Sequence, residues 1–139
     1  MAITASTLTI TITESHKLNG VTYGNTTTKT IASCGEAIQR VISVPHGGST
    51  TLANMDKEAD RDNFVYFRVK NADASNFVTL TLGGAVGAQH QVKILAGESF
   101  ETTCNEIWNY TANAWDKIQK IAVQSDTAAC DVEFYFVSK

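Results

Sequence analysis

The chain ends on a strict alternation, with Val132, Phe134 and Phe136 on one side of an extended segment and Asp131, Glu133 and Tyr135 on the other. Side chains in a strand repeat every two residues, so this pattern predicts a strand with one face in a core. The beginning shows the same rhythm. Leu8, Ile10 and Ile12 alternate with Thr7, Thr9, Thr11 and Thr13, which predicts a half-buried first strand. Asn19-Gly20 follows, a strong hairpin signal because a type I′ turn needs positive φ at both central residues. The returning segment, Val21 to Ile31, is Thr-rich and weakly apolar and reads as an edge strand, with Gly24-Asn25 allowing a bulge or bend.

Between these ends the pattern varies. Glu36 to Val44 has an ambiguous period. Ile38, Val41 and Ile42 suit a helix, whereas Arg40, Ile42 and Val44 suit a strand, and the β-branched residues and Pro45 favour the strand. Residues Pro45 to Asp62 hold Gly47-Gly48-Ser49 and the charged run Asp56 to Asp62, and predict a long exposed loop. Phe64 to Lys70 reads as a strand with Phe64, Tyr66 and Arg68 on one face and Val65, Phe67 and Val69 on the other, largely apolar on both faces, as a central strand would be. Val78, Leu80 and Leu82 alternate with Thr79 and Thr81, and a glycine-rich turn (Gly83 to Gly87) leads into Gln89 to Leu95. Short strands are predicted around Phe100 to Thr102, near Lys117 to Gln124, and from Cys130 to Val137. The sum is about eight or nine short strands with closely spaced turns, an all-β fold of the antiparallel sandwich or barrel kind.

Composition agrees with that class. At 139 residues, 43% hydrophobic and 18% charged, the chain predicts one domain (1–139) with enough length to bury a core without staples. Residues 1–7 read as an extended N-terminal arm and 45–62 as the long loop. A net charge of −3 argues against sequence-independent nucleic-acid binding, which needs clustered cations to displace counterions. No stretch has the length of an apolar membrane span, and the first residues lack the pattern of a secretory leader. Cys34, Cys104 and Cys130 are widely spaced and odd in number, so they imply no disulfide framework; reduced, partly buried thiols are expected.

Candidate chemistry is sparse. His16, His46 and His90 sit beside predicted turns without metal-ligand spacing. Pro45-His46-Gly47-Gly48-Ser49 resembles a lipase oxyanion loop, but no Gly-x-Ser-x-Gly elbow supplies a nucleophile. Asp56, Glu58, Asp60 and Asp62 alternate as calcium ligands do, without the glycine and terminal glutamate of an EF-hand. Glu98 and Glu101 are paired carboxylates with no partner that defines an acid or base. The expectation is no enzyme, no cofactor and no metal. Trp108, Tyr110 and Trp115, in an Asn-rich stretch with Asn105, Asn109 and Asn113, suit a protein interface, a plug at one end of the sandwich, or a sugar-stacking platform.

Three stretches carry a resemblance: Val69-Lys70-Asn71 through Asn76-Phe77-Val78-Thr79-Leu80, then Ile94-Leu95-Ala96-Gly97-Glu98-Ser99-Phe100, then Asp126 to Val137. Together they span roughly residues 64 to 137. Their order resembles small virion structural proteins of tailed bacteriophages; Ala96 departs from it, where proline is common. The resemblance implies a jelly-roll-like sandwich that decorates or cements the capsid shell as a homo-oligomer, a trimer at symmetry axes, made in the host cytoplasm and carried on the virion. It implies the major capsid protein as partner, with no nucleic acid and no membrane. Expected contact residues are Ile3 and Thr4 of the N-terminal segment, Pro45 and His46 of the long loop, and Trp108, Tyr110 and Trp115. The alternatives are a carbohydrate-binding β-sandwich module and a tail or fibre component.

Overall fold

The computed structural model describes residues 4–54 and 64–139. Among them there is no helix, and the strands pair antiparallel. Contacts divide the chain into two compact units, residues 1–35 and 36–139.

The first unit is a single long hairpin built of β1 (Ser6–Thr13), β2 (His16–Leu18), β3 (Val21–Tyr23) and β4 (Thr26–Cys34). One register runs from Leu8↔Ile31 through Thr13↔Thr26 and His16↔Tyr23 to Leu18↔Val21. The backbone N–H of Glu14 bonds the Asn25 carbonyl between them. Asn19 (φ 51°) and Gly20 (φ 82°) close the tip as the type I′ turn requires. The bend expected at Gly24 is present; a Cβ there would collide with the Glu14 carbonyl, and its φ of 99° favours glycine. The returning segment is therefore two strands, β3 and β4. At the base, the pairing slips by one residue between Ser6 and Leu8, opposite Ser33, whose φ is 64°.

The second unit is a sandwich of β5 (Glu36–Val44), β6 (Ser49–Asn54), β7 (Phe64–Asn71), β8 (Val78–Gly84), β9 (Gln89–Ile94), β10 (Ser99–Thr102), β11 (Glu106–Asn109), β12 (Ala114–Ser125) and β13 (Cys130–Ser138). One sheet runs β10-β7-β13-β5. The other runs β11-β12-β8-β9, with β6 also paired to β12. The pairs nest: β5 with β13, β6 with β12, β7 with β10, β8 with β9. Among the described strands only β11 stands outside this nesting, paired with the first residues of β12.

The inner faces of both sheets share one core, including Phe67, Val69, Val132, Phe134 and Phe136 from one sheet and Leu80, Leu82, Ile94, Ile121 and Val123 from the other. The alternation of β13 is as the sequence predicts, with Val132, Phe134 and Phe136 no more than 1% exposed. β5 follows the strand reading: Ile38, Arg40, Ile42 and Val44 oppose Phe136, Phe134, Val132 and Cys130. Arg40 tolerates this face because its Nη2 donates to the Leu52 carbonyl and its guanidinium lies 6.0 Å from the Phe134 ring centroid.

Two features depart from simple alternation. In β7 the sequence groups Phe64 with Tyr66 and Arg68, but Ser138↔Phe64 and Val137↔Tyr66 leave Val65 as an extra residue. The bulge turns Phe64 inward, 5.3 Å from the Phe136 ring and 5.4 Å from Phe67. Within the predicted loop 45–62, Ser49–Asn54 is the strand β6, and Leu52 and Ala53 are fully buried. The charged run from Asp56 to Asp62, and the calcium pattern with it, lies outside the described residues.

Candidate functional site

β11 and β12 form a hairpin whose outer face is aromatic. Trp108 pairs with Trp115, and Glu106 pairs with Lys117 one step along the same face. The two indoles meet edge to face, with centroids 5.2 Å apart and planes at 76°. Tyr110 adds a second perpendicular contact to Trp108 at 6.5 Å. Such packing fixes the rings without covering them: Tyr110 is 83% and Trp115 65% exposed. Lys117 Nζ stands 3.5 Å from Glu106 Oε1, so an ion pair borders the platform.

The inner face of the hairpin explains its rigidity. Asn109 is buried, and its side-chain oxygen accepts the N–H groups of Thr111 and Ala112, an Asx turn that shapes the tip. Asn113 (φ 52°) takes the left-handed position that closes the turn. Asp116 is buried, and its carboxylate accepts the N–H groups of Val86 (3.0 Å) and Ala88 (3.2 Å) from the β8–β9 turn. Gly84 leaves room for that carboxylate, since a Cβ there would overlap it. His90 Nε2–H donates to the Trp108 carbonyl at 3.0 Å, tying β9 to β11. The sequence reading did not single out Asp116. Its signal was the glycine-rich turn itself, whose bare N–H groups need an acceptor.

These bonds also narrow what the asparagines offer a ligand. Asn105 Nδ2 donates to the Phe64 carbonyl, and the Asn109 side-chain oxygen is held by the turn. Glu106 and Lys117 border the aromatic face, and Asn113 is exposed at the hairpin tip.

The other expected contact residues lie elsewhere. Pro45 and His46 are exposed beside the far end of β12, where Ser125 Oγ donates to the Pro45 carbonyl and His46 bridges Ser125. Ten residues of strand separate Ser125 from Trp115, about 33 Å at strand rise. Thr4 is exposed just before β1, and Ile3 lies outside the described residues. The structure therefore unites Trp108, Tyr110 and Trp115 and sets Pro45 and His46 apart from them.

The titratable groups with altered acidity are structural. Asp73 Oδ1 accepts the N–H groups of Asn76 (2.7 Å) and Ser75 (2.8 Å), which hold its carboxyl below the usual carboxylate range. This turn is anchored by fully buried Asn71, which donates to the Asn76 and Ile94 carbonyls and accepts the Asp73 N–H. Burial pushes the Cys130 thiol up, with Asp73, Asp126 and Asp131 adding to it. Burial likewise raises the Tyr66 phenol, whose ring packs edge-on against Tyr135. All three cysteines are free, with Cys34 and Cys130 buried and Cys104 exposed. Glu101 accepts a hydrogen bond from the Ser99 hydroxyl.

No family model matches this chain, and no curated protein matches it either.

Proposed function

We propose that this chain is a non-enzymatic structural protein of a virion, decorating or cementing the capsid shell of a tailed bacteriophage through homo-oligomeric contacts. The observation that carries the reading is the nested strand order. Setting β11 aside, the first strand of the sandwich pairs with the last, the second with the next to last, and so inward to the β8–β9 hairpin. A long double-stranded ribbon rolled into two facing sheets has this order, and it supports a jelly roll, an architecture used by viral shell proteins and by lectins. The function would be mechanical. Repetition over a lattice turns modest contacts into strong retention, and a trimer at a symmetry axis would present three aromatic hairpins to the shell.

The exposed Trp108–Tyr110–Trp115 face favours a second reading, a carbohydrate-binding module, in which the rings stack on sugars and Glu106 and Lys117 bond their hydroxyls. Mass spectrometry of gradient-purified, nuclease-resistant particles separates the readings. Abundance near that of the major capsid protein supports decoration, and a few per cent of it moves the chain to the tail or fibres. Absence from particles overturns the virion reading. Retention on a glycan array, lost in Trp115→Ala, would then favour the module.

A further inference from the structure

We infer that Asn19, at the tip of the first hairpin, is a site of self-modification, where the side-chain amide is lost and the main-chain link to Gly20 isomerises. Asn19 and Gly20 close the hairpin, both exposed and both at positive φ. Among the described residues nothing holds the Asn19 amide by a hydrogen bond. The space at Gly20 is open, with no atom within 4 Å of where a Cβ would stand. No other Asn-Gly step occurs in the sequence.

These features meet the needs of imide formation. The Gly20 nitrogen gives up its proton to solvent base and attacks Cγ of Asn19. An N–Cγ bond forms, the Cγ–Nδ2 bond breaks, and the amide group leaves as ammonia after taking a proton from water. Water then opens the five-membered imide at either carbonyl. Opening at Cγ gives aspartate with the main chain as before, and opening at the main-chain carbonyl gives isoaspartate, with the chain running through the former side chain. Either route takes up one water, releases one ammonia and involves no oxidant. Glycine leaves the attacking nitrogen uncrowded because it has no Cβ. Ring closure requires Asn19 to leave its turn dihedrals, so the rate follows opening of the tip. β2 and β3 have three residues each, all exposed, and so short a ladder opens at little cost.

Other asparagines lack this combination. Asn71 is fully buried and bonded to the Asn76 and Ile94 carbonyls, and the buried Asn109 has its oxygen held by two backbone N–H groups. Asn113 shares the positive φ (52°), but Ala114 follows it with a Cβ beside the attacking nitrogen. At Asn19 either product adds a negative charge to a hairpin whose ionic side chains are Glu14, Lys17 and Lys29. Isoaspartate also lengthens the main chain by one carbon, so the two-residue turn no longer fits the Leu18↔Val21 register. The disruption stops at the bend, where the Glu14 N–H bonds the Asn25 carbonyl and the β1–β4 ladder begins.

Peptide mapping by mass spectrometry tests this on the full chain, aged in mildly alkaline buffer at physiological temperature, both native and in urea. Isoaspartyl methyltransferase distinguishes the two products. Native chain should convert Asn19 first, to both products, at a rate within several-fold of that in urea. Asn71 and Asn109 should stay intact until urea exposes them. Gly20→Ala should slow conversion several-fold in urea, where any effect of the substitution on hairpin folding drops out. Native protection of Asn19 as complete as that of Asn109 overturns the inference. So does earlier conversion of another asparagine, or a Gly20→Ala chain that converts as fast as the wild type in urea.

Discussion

Residues 4–35 and the sandwich from residue 36 onward use the same secondary structure for opposite ends. Ten of the eighteen threonines of the chain fall in its first 35 residues, and there the strands are mostly exposed. In the sandwich, β7 and β13 are buried along most of their length. Threonine suits both settings because its branched β-carbon favours extended backbone whatever covers it. β-propensity alone therefore builds a ribbon, while only facing sheets with large apolar side chains build a core. The sandwich contains its own cover, whereas Ile12, Leu18, Val21 and Tyr23 of the hairpin are about half exposed.

That contrast can be broken by substitution. The largest effect belongs to the aromatic cluster of Phe64, Phe67 and Phe136. Phe136→Ala should cost the sandwich about 3–5 kcal/mol in urea unfolding, because Phe136 is fully buried and its removal leaves a cavity between the sheets. Asp116→Ala comes next. It strands the Val86 and Ala88 N–H groups in a buried turn and should cost about 2–3 kcal/mol, whereas Asp116→Asn, which keeps an acceptor, should lose less. Gly20→Val should cost the hairpin of residues 4–35 about 1 kcal/mol by forcing a β-branched residue to positive φ. It should leave the main unfolding transition of the sandwich in place.

Acid sharpens the comparison further. The Asp73 carboxyl is held low in the folded chain, so its contribution to stability is complete above the unfolded carboxylate value near pH 4. It is lost as pH falls through the lower folded value. The melting temperatures of wild type and Asp73→Asn, measured from pH 6 to pH 2, should therefore converge toward the acid end. The smallest perturbation is thiol labelling. In the native chain Cys104 should react first with a disulfide reagent, while Cys130, buried and with its thiol pushed up, stays silent until denaturation exposes it.

Much of this arrangement was legible as period-two alternation. β8 and β13 read directly because large apolar residues occupy every second position; β1 read as a strand for the same reason, but it is mostly exposed rather than half-buried, with only Leu8 and Ile10 partly covered. Glu36 to Val44 resolved as a strand, and Arg40, the residue that spoils its apolar face, finds the Leu52 carbonyl across the sandwich and the Phe134 ring on the neighbouring strand. β6 was hidden because Leu52 and Ala53 are adjacent in a Ser/Thr stretch and show no alternation. Phe64 was assigned to the wrong face because one bulged residue inverts parity, and a bulge leaves no mark in composition. At the aromatic hairpin, residue types were visible but not their pairing. The Asx turn at Asn109 sets Trp108 opposite Trp115, and the same turn removes an asparagine oxygen from any ligand.

The most direct test of the division between a cored sandwich and an exposed hairpin is amide hydrogen exchange of the full chain. Amides of β1 and β4 should exchange through local opening, far faster than those of β7 and β13, which should exchange only on global unfolding. Amides of β1 and β4 as protected as those of β7 and β13 would contradict it.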